Sequence, residues 1–392
     1  MVTIAVPSET DPNEGRVAAT PDTVKRFAAL GAKVVVQAGA GEKSRLPDDA
    51  FTAEGAEIAA DAKATVAGAD IVLRVRRPSK TEIKTYPKGA MVVAQMDPYG
   101  NESDVEAMAK AGLTSVAMEF MPRITRAQVM DVLSSQANLA GYQAVIDASN
   151  VYDRAMPMMM TAAGTVPAAR VFVMGAGVAG LQAIATARRL GAVVTATDVR
   201  PAAKEQVESL GAKFVAVEND EFKQAETTGG YAKQMSEDYQ KQQAELVASH
   251  IAKQDIVITT ALIPGRPAPQ LVSRTMIDAM KPGSVLVDLA VERGGNVEGA
   301  VPGALADVGP ATVVGYLNVP GRIAATASLL YAKNLYSFIE TMIDKESKAF
   351  TVNWDDELVQ ATVLTRDGAV VHPNFAPKEE AKDEAPAEEA GK

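Results

Sequence analysis

RVFVMGAGVAGLQAIATARRLGAVVTATDVR, residues 170–200, contains every part of a strand–turn–helix–strand unit. Residues 171–174 form a short apolar run, which favours a buried strand. Three glycines follow this run with the spacing G-x-G-x-x-G: Gly175, Gly177 and Gly180. Apolar residues then recur at roughly helical spacing until Gly191, and a second apolar strand ends at Asp198. This order predicts two parallel strands joined by a helix, and we expect the rest of the chain to be organised around them.

The spacing of the glycines predicts a site for the phosphates of a dinucleotide. Gly175 permits a tight turn out of the strand, Gly177 leaves room for a pyrophosphate against the backbone, and Gly180 allows the helix to pack closely on the sheet. The unpaired N–H groups of the helix N-terminus attract negative charge. Three such glycines alone often mark only a close strand–helix contact, but here the whole unit surrounds them.

The acidic residue at the end of the second strand predicts which dinucleotide binds. The carboxylate of Asp198 can accept hydrogen bonds from both hydroxyls of an adenosine ribose, and it would repel a 2′-phosphate. The sequence therefore favours NAD(H) over NADP(H). Arg200 leaves NADP(H) open, because a nearby cation can accommodate that phosphate. We predict that Val199 and Arg200 join Asp198 in contacting the cofactor.

Composition places the chain among acidic globular proteins. Its 392 residues predict two or three domains, and 47% hydrophobic with 22% charged residues is ordinary for a protein with a sizeable core. The net charge of −10, without a basic patch, disfavours nucleic-acid binding. No basic region precedes the first predicted strand, and no run of 18 apolar residues occurs. We therefore expect neither a signal peptide nor a membrane-spanning segment.

The supply of reactive side chains limits the chemistry that the chain can perform. It has two histidines, His250 and His372, and no cysteine, which excludes disulfides and thiolate chemistry. General acid–base catalysis uses histidine most often. If the chain is an enzyme, we expect a reaction that needs little proton transfer by side chains.

Alternating strands and helices predict an α/β protein with two Rossmann-like, doubly wound parallel-sheet domains and a cleft between them. The second domain is expected to have six strands, with its ligand at their carboxyl ends, where Leu262 is a predicted cofactor contact. The predicted domains are a discontinuous first domain of residues 1–136 and 320–375, an NAD(H)-binding domain of residues 137–319, and a disordered acidic tail of residues 376–392.

A helix is predicted at the junction of the two domains, over residues 125–142. Thr125 and Gln128 have the spacing of a capping box. Polar residues recur three or four positions apart along one face: Gln128, Asp131, Ser134, Ser135 and Asn138. Such a stripe usually faces water. Because this helix lies where a cleft is expected, its polar side chains could instead contact a ligand.

Two further segments have predictable roles. Residues 218–253 form a long polar stretch between the third and fourth strands of the second domain, and Gly229, Gly230 and Tyr231 lie in its first half. Because connections of this length are usually functional or disordered, we expect a lid that carries Tyr231 beside a glycine hinge. One long helix is predicted over residues 321–343, crossing back to the first domain.

The motifs resemble the NAD(H)-binding component, domain I, of the proton-translocating nicotinamide nucleotide transhydrogenases, a component that is itself similar to alanine dehydrogenase. The resemblance covers nearly the whole chain, from residue 7 to the helix after Pro320. Besides the glycine stretch, its more specific pieces are PSETDPNEGRVAATP (7–21), EFMPRITRAQVMDVLSSQANLAGY (119–142), AMPMMMTAAGT (155–165), TTGGYA (227–232), TTALIPGRPAP (259–269) and VDLAVERGGN (287–296).

The resemblance implies roles for individual residues. In that family an Arg-Gln-Asp loop and helix position the nicotinamide end of NAD(H). The residues that match this loop and helix are Arg123, Gln128, Asp131 and Ser134. The resemblance also implies that Tyr231, beside Gly230, closes over the nucleotide as part of a mobile loop. Asp198 would bind the ribose, and Val178 would donate its N–H to the pyrophosphate.

The implied reaction is direct hydride transfer between NADH on this chain and NADP⁺ on another component, coupled to proton translocation by a membrane component. The small supply of acid–base groups fits this reaction, since no substrate proton is removed. The chain would be an oxidoreductase subunit of the Si-specific, proton-translocating type, incomplete without its partners. The resemblance implies a cytoplasmic homodimer, bound peripherally to the inner face of the bacterial cytoplasmic membrane without entering it.

The alternative is an amino-acid dehydrogenase like alanine dehydrogenase. That reaction makes and hydrolyses an imine, so it needs a cation for the substrate carboxylate and a proton-transfer group. Arg16 lies in the region of that family's substrate arginine. However, the KVKEP motif of alanine dehydrogenases reads RVRRP at residues 74–78, and residues 93–97, where a catalytic histidine is expected, contain none. A non-catalytic NAD sensor has no specific support.

Overall fold

The computed structural model describes residues 1–225 and 235–377, which contain two large sheets flanked by helices. In each sheet most neighbouring strands run parallel and are connected through helices. The predicted α/β class with two Rossmann-like, doubly wound domains is therefore confirmed. The predicted lid residues Gly230 and Tyr231, and all but the first two residues of the predicted tail, lie outside the described residues.

The first sheet has eight strands within the described residues. Six strands from the N-terminal portion of the chain run parallel, and two later strands extend one edge in antiparallel orientation. Across the sheet the strands are Ala369–Val370, Val363–Arg366, Thr114–Ala117, Met91–Gln95, Ile71–Arg76, Thr3–Val6, Lys33–Gln37 and Glu57–Ala59. Its helices are Pro21–Ala29, Asp48–Ala53, Ala62–Val66, Lys80–Ile83, Glu102–Lys110 and Glu357–Thr362, with 3-10 turns at Glu42–Ser44 and Met118–Phe120. The predicted domain boundaries themselves stay a prediction.

The second sheet has seven strands within the described residues, one more than predicted. Across the sheet they are Lys213–Phe214, Val193–Thr197, Arg170–Met174, Ile256–Thr259, Ser284–Asp288, Ala311–Val314 and Leu305–Val308. The additional strand, Leu305–Val308, pairs antiparallel with its neighbour at the sheet edge. It gives a weak sequence signal because it is short and only its last residue, Val308, is buried. The helices are Val178–Arg189 (the fingerprint helix), Ala203–Ser209, Asp220–Lys223, Glu237–Ile251 and Arg274–Asp278, with a 3-10 turn at Val291–Arg293.

The strand order of the second sheet places the glycine turn at a switch point. From Arg170–Met174 the chain passes to Val193–Thr197 on one side, and it later returns to Ile256–Thr259 on the other side. Ligands of open α/β sheets bind at the carboxyl ends of the strands beside such a switch point. Gly175 directly follows the central strand, so the fold puts the glycine turn where a ligand is expected.

The helix predicted over residues 125–142 begins later than expected. Thr125–Met130 is a 3-10 segment, Asp131 is extended, and the α-helix is Val132–Val151, here called the connecting helix. The predicted capping box is absent, because Ile124 precedes the 3-10 segment and makes no side-chain cap. Asp131 caps the connecting helix instead. The carboxylate of an aspartate favours the extended N-cap conformation over a helical one at its own position. The α-helix therefore begins after Asp131, and the predicted start at Thr125 is wrong.

Residues 321–343 are not one helix either. A 3-10 turn, Val319–Ile323, contains Pro320 and precedes the α-helix Ala324–Ile339, here called the return helix, and a second 3-10 turn, Glu340–Met342, follows it. The return helix packs into the core of the first domain as predicted, with Tyr331 and Leu335 fully buried there. Among the helices of the described residues, none combines the length and the apolar character needed to cross a membrane.

The connecting helix and the fingerprint helix cross at Gly141 and Ala179. A Cβ atom at position 141 would lie 2.0 Å from the carbonyl oxygen of Ala179, so only glycine permits this approach. One turn away, the side-chain amide of Asn138 donates a hydrogen bond to Gln182 (3.4 Å). The crossing fixes the fingerprint helix against the helix that Asp131 caps.

A small hairpin and a set of polar contacts lie outside the two sheets. Met159–Thr161 and Gly164–Val166 form a separate antiparallel hairpin, here called the methionine hairpin. Met158, Met159 and Met160 are 62%, 44% and 76% exposed. Residues predicted for the two domains meet through an ion pair between Arg293 and Asp97, whose side chains are both about half exposed, through a second ion pair between Arg322 and Asp147, and through a hydrogen bond from Asn318 to the carbonyl of Asn13 (2.9 Å).

Candidate functional site

A cleft between residues 122–134 and the start of the fingerprint helix brings together distant segments of the sequence. It encloses about 420 Å³. One wall consists of Pro122, Arg123, Ile124, Ala127, Gln128, Asp131 and Ser134, and the other consists of Ala176, Gly177, Val178, Leu181, Arg200 and Gln206. The four residues matched to the nicotinamide end of the cofactor therefore face three of the predicted cofactor contacts across one cleft.

The three glycines of the turn differ in what surrounds them. Gly175 has a φ of +104°, and a Cβ atom there would lie 2.5 Å from the hydroxyl oxygen of Thr260. A Cβ atom on Gly180 would lie 1.8 Å from the carbonyl oxygen of Gly175. A Cβ atom on Gly177, in contrast, would meet no atom within 4 Å. Packing within the chain requires the first and third glycines, whereas Gly177 borders open space on the cleft.

The fingerprint helix begins at this open space. Gly177 is its N-cap residue and has no side chain with which to cap it. The first N–H groups of a helix lack partners within the helix and carry a partial positive charge. Val178, the first helical residue, is 40% exposed and lines the cleft. Open space beside uncapped N–H donors is the environment that a pyrophosphate needs.

Asp198 is hydrogen-bonded within the chain through both oxygens. One oxygen accepts from the N–H of Ala176 (2.7 Å) and from Nη2 of Arg200 (3.1 Å). The other accepts from the backbone N–H and from Nε of Arg200, both at 2.9 Å. These four bonds match the acceptor capacity of a carboxylate. The ribose hydroxyls can therefore bind Asp198 only where they replace the guanidinium of Arg200.

Asp131 and Ser134 form a fixed pair at the cleft. The carboxylate of Asp131 accepts hydrogen bonds from the N–H of Ser134 (2.8 Å) and from its hydroxyl (2.5 Å). Arg123 and Gln128, by comparison, lie on the same wall with more exposed side chains. The cleft thus has a rigid polar corner beside two adaptable polar side chains.

Some predicted contacts lie elsewhere. Val199 and Leu262 are 58% and 53% exposed, and neither is part of the cleft wall. Gly230 and Tyr231 fall outside the described residues. Conversely, the walls include residues that sequence reasoning misses: Pro122, Ile124, Ala127, Ala176, Leu181 and Gln206. The position of Ala176 between two fingerprint glycines is a usable signal, whereas Gln206 belongs to the next helix and carries none.

Arg16, which the sequence places in the region of a substrate arginine, is buried in an ion-pair cluster. Its guanidinium bonds both carboxylate oxygens of Glu14 at 2.7 Å, and Arg76 bonds the same carboxylate at 2.8 Å. Burial alone would raise the pKa of Glu14, but the hydrogen bonds and positive charge of Arg16, with the charge of Arg76, lower it to about 2. Both arginines therefore share one buried carboxylate, and Arg16 is held in place by it.

Comparison with known proteins places the chain in a family. A model of the alanine dehydrogenase/PNT N-terminal domain matches residues 5–140, and one of the C-terminal domain matches residues 144–373. An NAD(P) transhydrogenase subunit alpha polypeptide of Rhodospirillum rubrum is 53% identical over 375 residues, covering 94% of this chain and 98% of that protein. Alanine dehydrogenase of Mycobacterium tuberculosis is 32% identical over 302 residues, covering 76% of this chain and 75% of that protein.

A solved structure agrees with these matches. The crystal structure of transhydrogenase from Sinorhizobium meliloti superimposes with a TM-score of 0.83 at 62% identity, covering 95% of this chain and all of that one. The identity to these transhydrogenases is higher than the identity to the alanine dehydrogenase. These findings confirm the resemblance drawn from the motifs, and the chain belongs to the alanine dehydrogenase/PNT family, beside its NAD(P) transhydrogenase alpha subunits.

Proposed function

We propose that this chain is the NAD(H)-holding subunit of a proton-translocating transhydrogenase, which exchanges a hydride with NADP(H) held on a partner component. The observation that carries this proposal is the single cleft in which Gly177 and Val178 face Gln128, Asp131 and Ser134. One wall offers donors for phosphates, and the other offers polar groups for the opposite end of a dinucleotide.

The residues present fit such a cofactor. The open space at Gly177 admits a group that the chain itself does not fill. Asp198 lies at the end of the neighbouring strand, where the ribose of a bound dinucleotide is expected. When bound, NADH supplies the hydride. The chain's own role is to bind the phosphates at the helix N-terminus and to orient the ring with Gln128 and with Asp131, which its bonds to Ser134 hold in place.

An amino-acid dehydrogenase is the less favoured function. The cation for its substrate carboxylate would be Arg16, whose side chain is 2% exposed and bonded to Glu14 through two nitrogens. Releasing Arg16 to a substrate would leave Glu14 buried with one fewer partner, at a cost of several kcal/mol. The region of a catalytic histidine reads Gln95-Met96-Asp97 here.

The finer features of the assembly belong to the same proposal. We infer a Si-specific reaction coupled to proton movement through a membrane component, with the chain a cytoplasmic homodimer bound peripherally to that component. Tyr231 and Gly230 would close over the nucleotide, with Val199 and Leu262 at its margin. The support is the similarity to transhydrogenase alpha subunits of Rhodospirillum rubrum and other bacteria.

The test is hydride transfer from NADH to an NADP⁺ analogue by the purified chain, with and without a transhydrogenase NADP(H)-binding component. A parallel reaction contains NADH, pyruvate and ammonia. We expect activity only when the added component is present. Oxidation of NADH by pyruvate with ammonia would establish an amino-acid dehydrogenase instead. If the chain binds NADH but no mixture shows turnover, the transhydrogenase function is refuted. The chain would then be interpreted as a non-catalytic NAD sensor.

A further inference from the structure

One buried side chain holds the wall of the cleft from behind. Asn334, on the return helix, is 8% exposed. Its Nδ2 donates a hydrogen bond to the carbonyl oxygen of Val129 (2.7 Å), and its Oδ1 accepts one from the hydroxyl of Ser135 (2.7 Å). Val129 follows Gln128 in the 3-10 segment, and Ser135 follows Ser134 in the connecting helix. Asn334 therefore joins the two segments that carry the polar wall.

The bond to Val129 satisfies a backbone group that the local structure leaves without a partner. Thr125–Met130 is a 3-10 segment that ends at the extended residue Asp131. The last carbonyl groups of a helical segment have no donor within it. The carbonyl of Val129 is one of these, and Asn334 supplies the donor. The bend between the 3-10 segment and the connecting helix is thus stabilised at its inner side.

Asn334 is itself held by a chain of hydrogen bonds that runs to the ion-pair cluster. Arg16 Nη1 donates to Oε1 of Gln136 (2.9 Å), and Nε2 of Gln136 donates to the hydroxyl of Ser135 (3.2 Å). The hydroxyl of Ser135 then donates to Asn334, which donates to Val129. Every donor in this chain points the same way, which fixes the orientation of both amides and of the hydroxyl.

The first and last members of this chain of hydrogen bonds differ in their surroundings. Arg16 and Gln136 are 3% and 4% exposed and belong to the packed interior of the first domain. Val129 lies at the surface and is 62% exposed. A second tether on the outer side of the segment joins Arg126 to Asp356, but half of the Arg126 side chain is in water. This outer contact is bidentate, with the two oxygens of Asp356 at 2.9 and 2.7 Å, but salt screens it because it is exposed, whereas the bonds of Asn334 are buried and are screened much less.

We propose that Asn334 is a positioning residue for hydride transfer: it sets the placement of Gln128 and Asp131 relative to the fingerprint helix without touching the cofactor. This inference rests on the proposed function. Misplacing reacting groups by about 1 Å can slow a reaction about a hundredfold while leaving binding nearly intact. The expected signature is a loss of turnover that is larger than the loss of NADH affinity.

The test compares three variants with one control. Asn334→Asp keeps the shape and the acceptor for Ser135 but replaces the donor to Val129 with a second oxygen. Asn334→Leu removes both bonds. Ser135→Ala keeps the bond from Asn334 to Val129 and removes the link to the interior, together with the contact of the Ser135 hydroxyl with the carbonyl of Val132 (3.3 Å). Ser115→Ala is the control, because Ser115 is fully buried in a strand of the first sheet and its hydroxyl bonds Thr365 on the neighbouring strand (2.7 Å). We measure melting temperature, the dissociation constant for NADH and the hydride-transfer rate at saturating NADH with the partner component.

Both Asn334 variants should lower the hydride-transfer rate at least tenfold and change the NADH dissociation constant less than threefold. Ser135→Ala should also lower the hydride-transfer rate, by a smaller factor. Ser115→Ala should lower the melting temperature and leave rate and affinity unchanged. Equal losses of rate and stability in all four variants would overturn the positioning role. If an Asn334 variant does not fold, Ser135→Ala decides the question by the same comparison.

A second measurement separates this inference from the proposed function. If the unaltered chain transfers no hydride, the proposed function fails, and the side-chain amide NMR signals of Gln128 then test the positioning directly. They should shift in Asn334→Asp and stay in place in Ser115→Ala. Unshifted Gln128 signals in Asn334→Asp would reject the role of Asn334, whatever the chain catalyses.

Discussion

Asp198 combines two tasks that can be separated by substitution. It holds the fingerprint turn through the N–H of Ala176 and holds Arg200 through three nitrogens, the backbone N–H and two of the guanidinium group. Asp198→Asn keeps the size of the side chain but loses its charge. Because a hydrogen bond to a charged group is worth about 1.5–3 kcal/mol, we expect NADH binding to weaken on the order of tenfold, and discrimination against NADPH to decrease. Titration with both nucleotides checks this, and an unchanged preference for NADH would remove Asp198 from cofactor selection.

Glu14 predicts how the stability of the chain depends on pH. Its pKa in the folded state is about 2, below the usual value of 4.5, so the ionised form stabilises the fold above pH 4.5 and this contribution is lost as the pH falls toward 2. Glu14→Gln should lower the free energy of unfolding at pH 7 by about 3 kcal/mol, because it leaves Arg16 buried without a counter-charge. It should also flatten the loss of stability between pH 4.5 and 2 in denaturant titrations.

The control for Glu14 is a carboxylate with an exposed partner. Glu106 pairs with Lys110, and both side chains are more than half exposed. Exposed pairs of this kind contribute about 0–1 kcal/mol. Glu106→Gln should therefore leave the pH profile unchanged, and an acid-unfolding curve of Glu14→Gln that coincides with it would show that the cluster around Arg16 does not govern acid stability.

At the scale of elements, the glycine turn offers a matched pair of substitutions. Gly177 has a φ of −75° and open space where a Cβ would lie, whereas a Cβ at Gly180 would overlap the carbonyl of Gly175. Gly180→Ala should destabilise the fold by about 1–3 kcal/mol through overpacking. Gly177→Ala should change the stability little but weaken NADH binding, since its methyl group occupies the space for the pyrophosphate. Thermal melts and NADH titrations of both variants test this, and equal stability losses would contradict it.

The methionine hairpin is the element that best supports the predicted homodimer. An isolated two-stranded hairpin is only marginally stable in water, and this one exposes three consecutive methionines. A second copy of the chain would cover them. Met160→Lys should therefore shift the mass measured by sedimentation from dimer to monomer. Val301→Lys, at a position 46% exposed in the second domain, should leave the mass unchanged, and a dimer that survives Met160→Lys would place the interface elsewhere.

The elements also show where sequence patterns fail. The glycine stretch is predictable because its strand, turn and helix are all fixed by local spacing. The helix start at Val132 is not, because Thr125 and Gln128 imitate a capping box, although Asp131 and Ser134 have the spacing of an N-cap aspartate and its N3 partner. The sequence thus contains two helix-start signals within seven residues, and local spacing does not show which one is used. The packing of Ala127 and Met130 in the core of the first domain favours the later start, and this packing is a property of the folded chain.

For the whole molecule, the sequence predicts the two-domain class and most parallel strands, since alternating apolar segments determine them. The cleft is predictable only incompletely. Spacing shows the polar stripe of Gln128, Asp131 and Ser134, the resemblance implies its role and adds Arg123, and only the fold places this wall opposite the glycine turn. The hydrogen bonds that hold the polar wall from behind cannot be predicted from the sequence. Asn334 contacts a residue 205 positions away, and Arg16 reaches Gln136 across 120 positions, so no local pattern pairs them.

The crossing at Gly141 has a mechanical consequence for the whole molecule. With only a hydrogen atom between position 141 and the carbonyl of Ala179, the two helices cannot approach further, and they can slide only by lifting apart. The contact between Arg293 and Asp97, in contrast, is an exposed ion pair that water can replace at little cost. The crossing itself lies inside the second domain, since both helices pack in its core, so Asp131 at the start of one helix and Gly177 at the start of the other are carried on one rigid pair of helices.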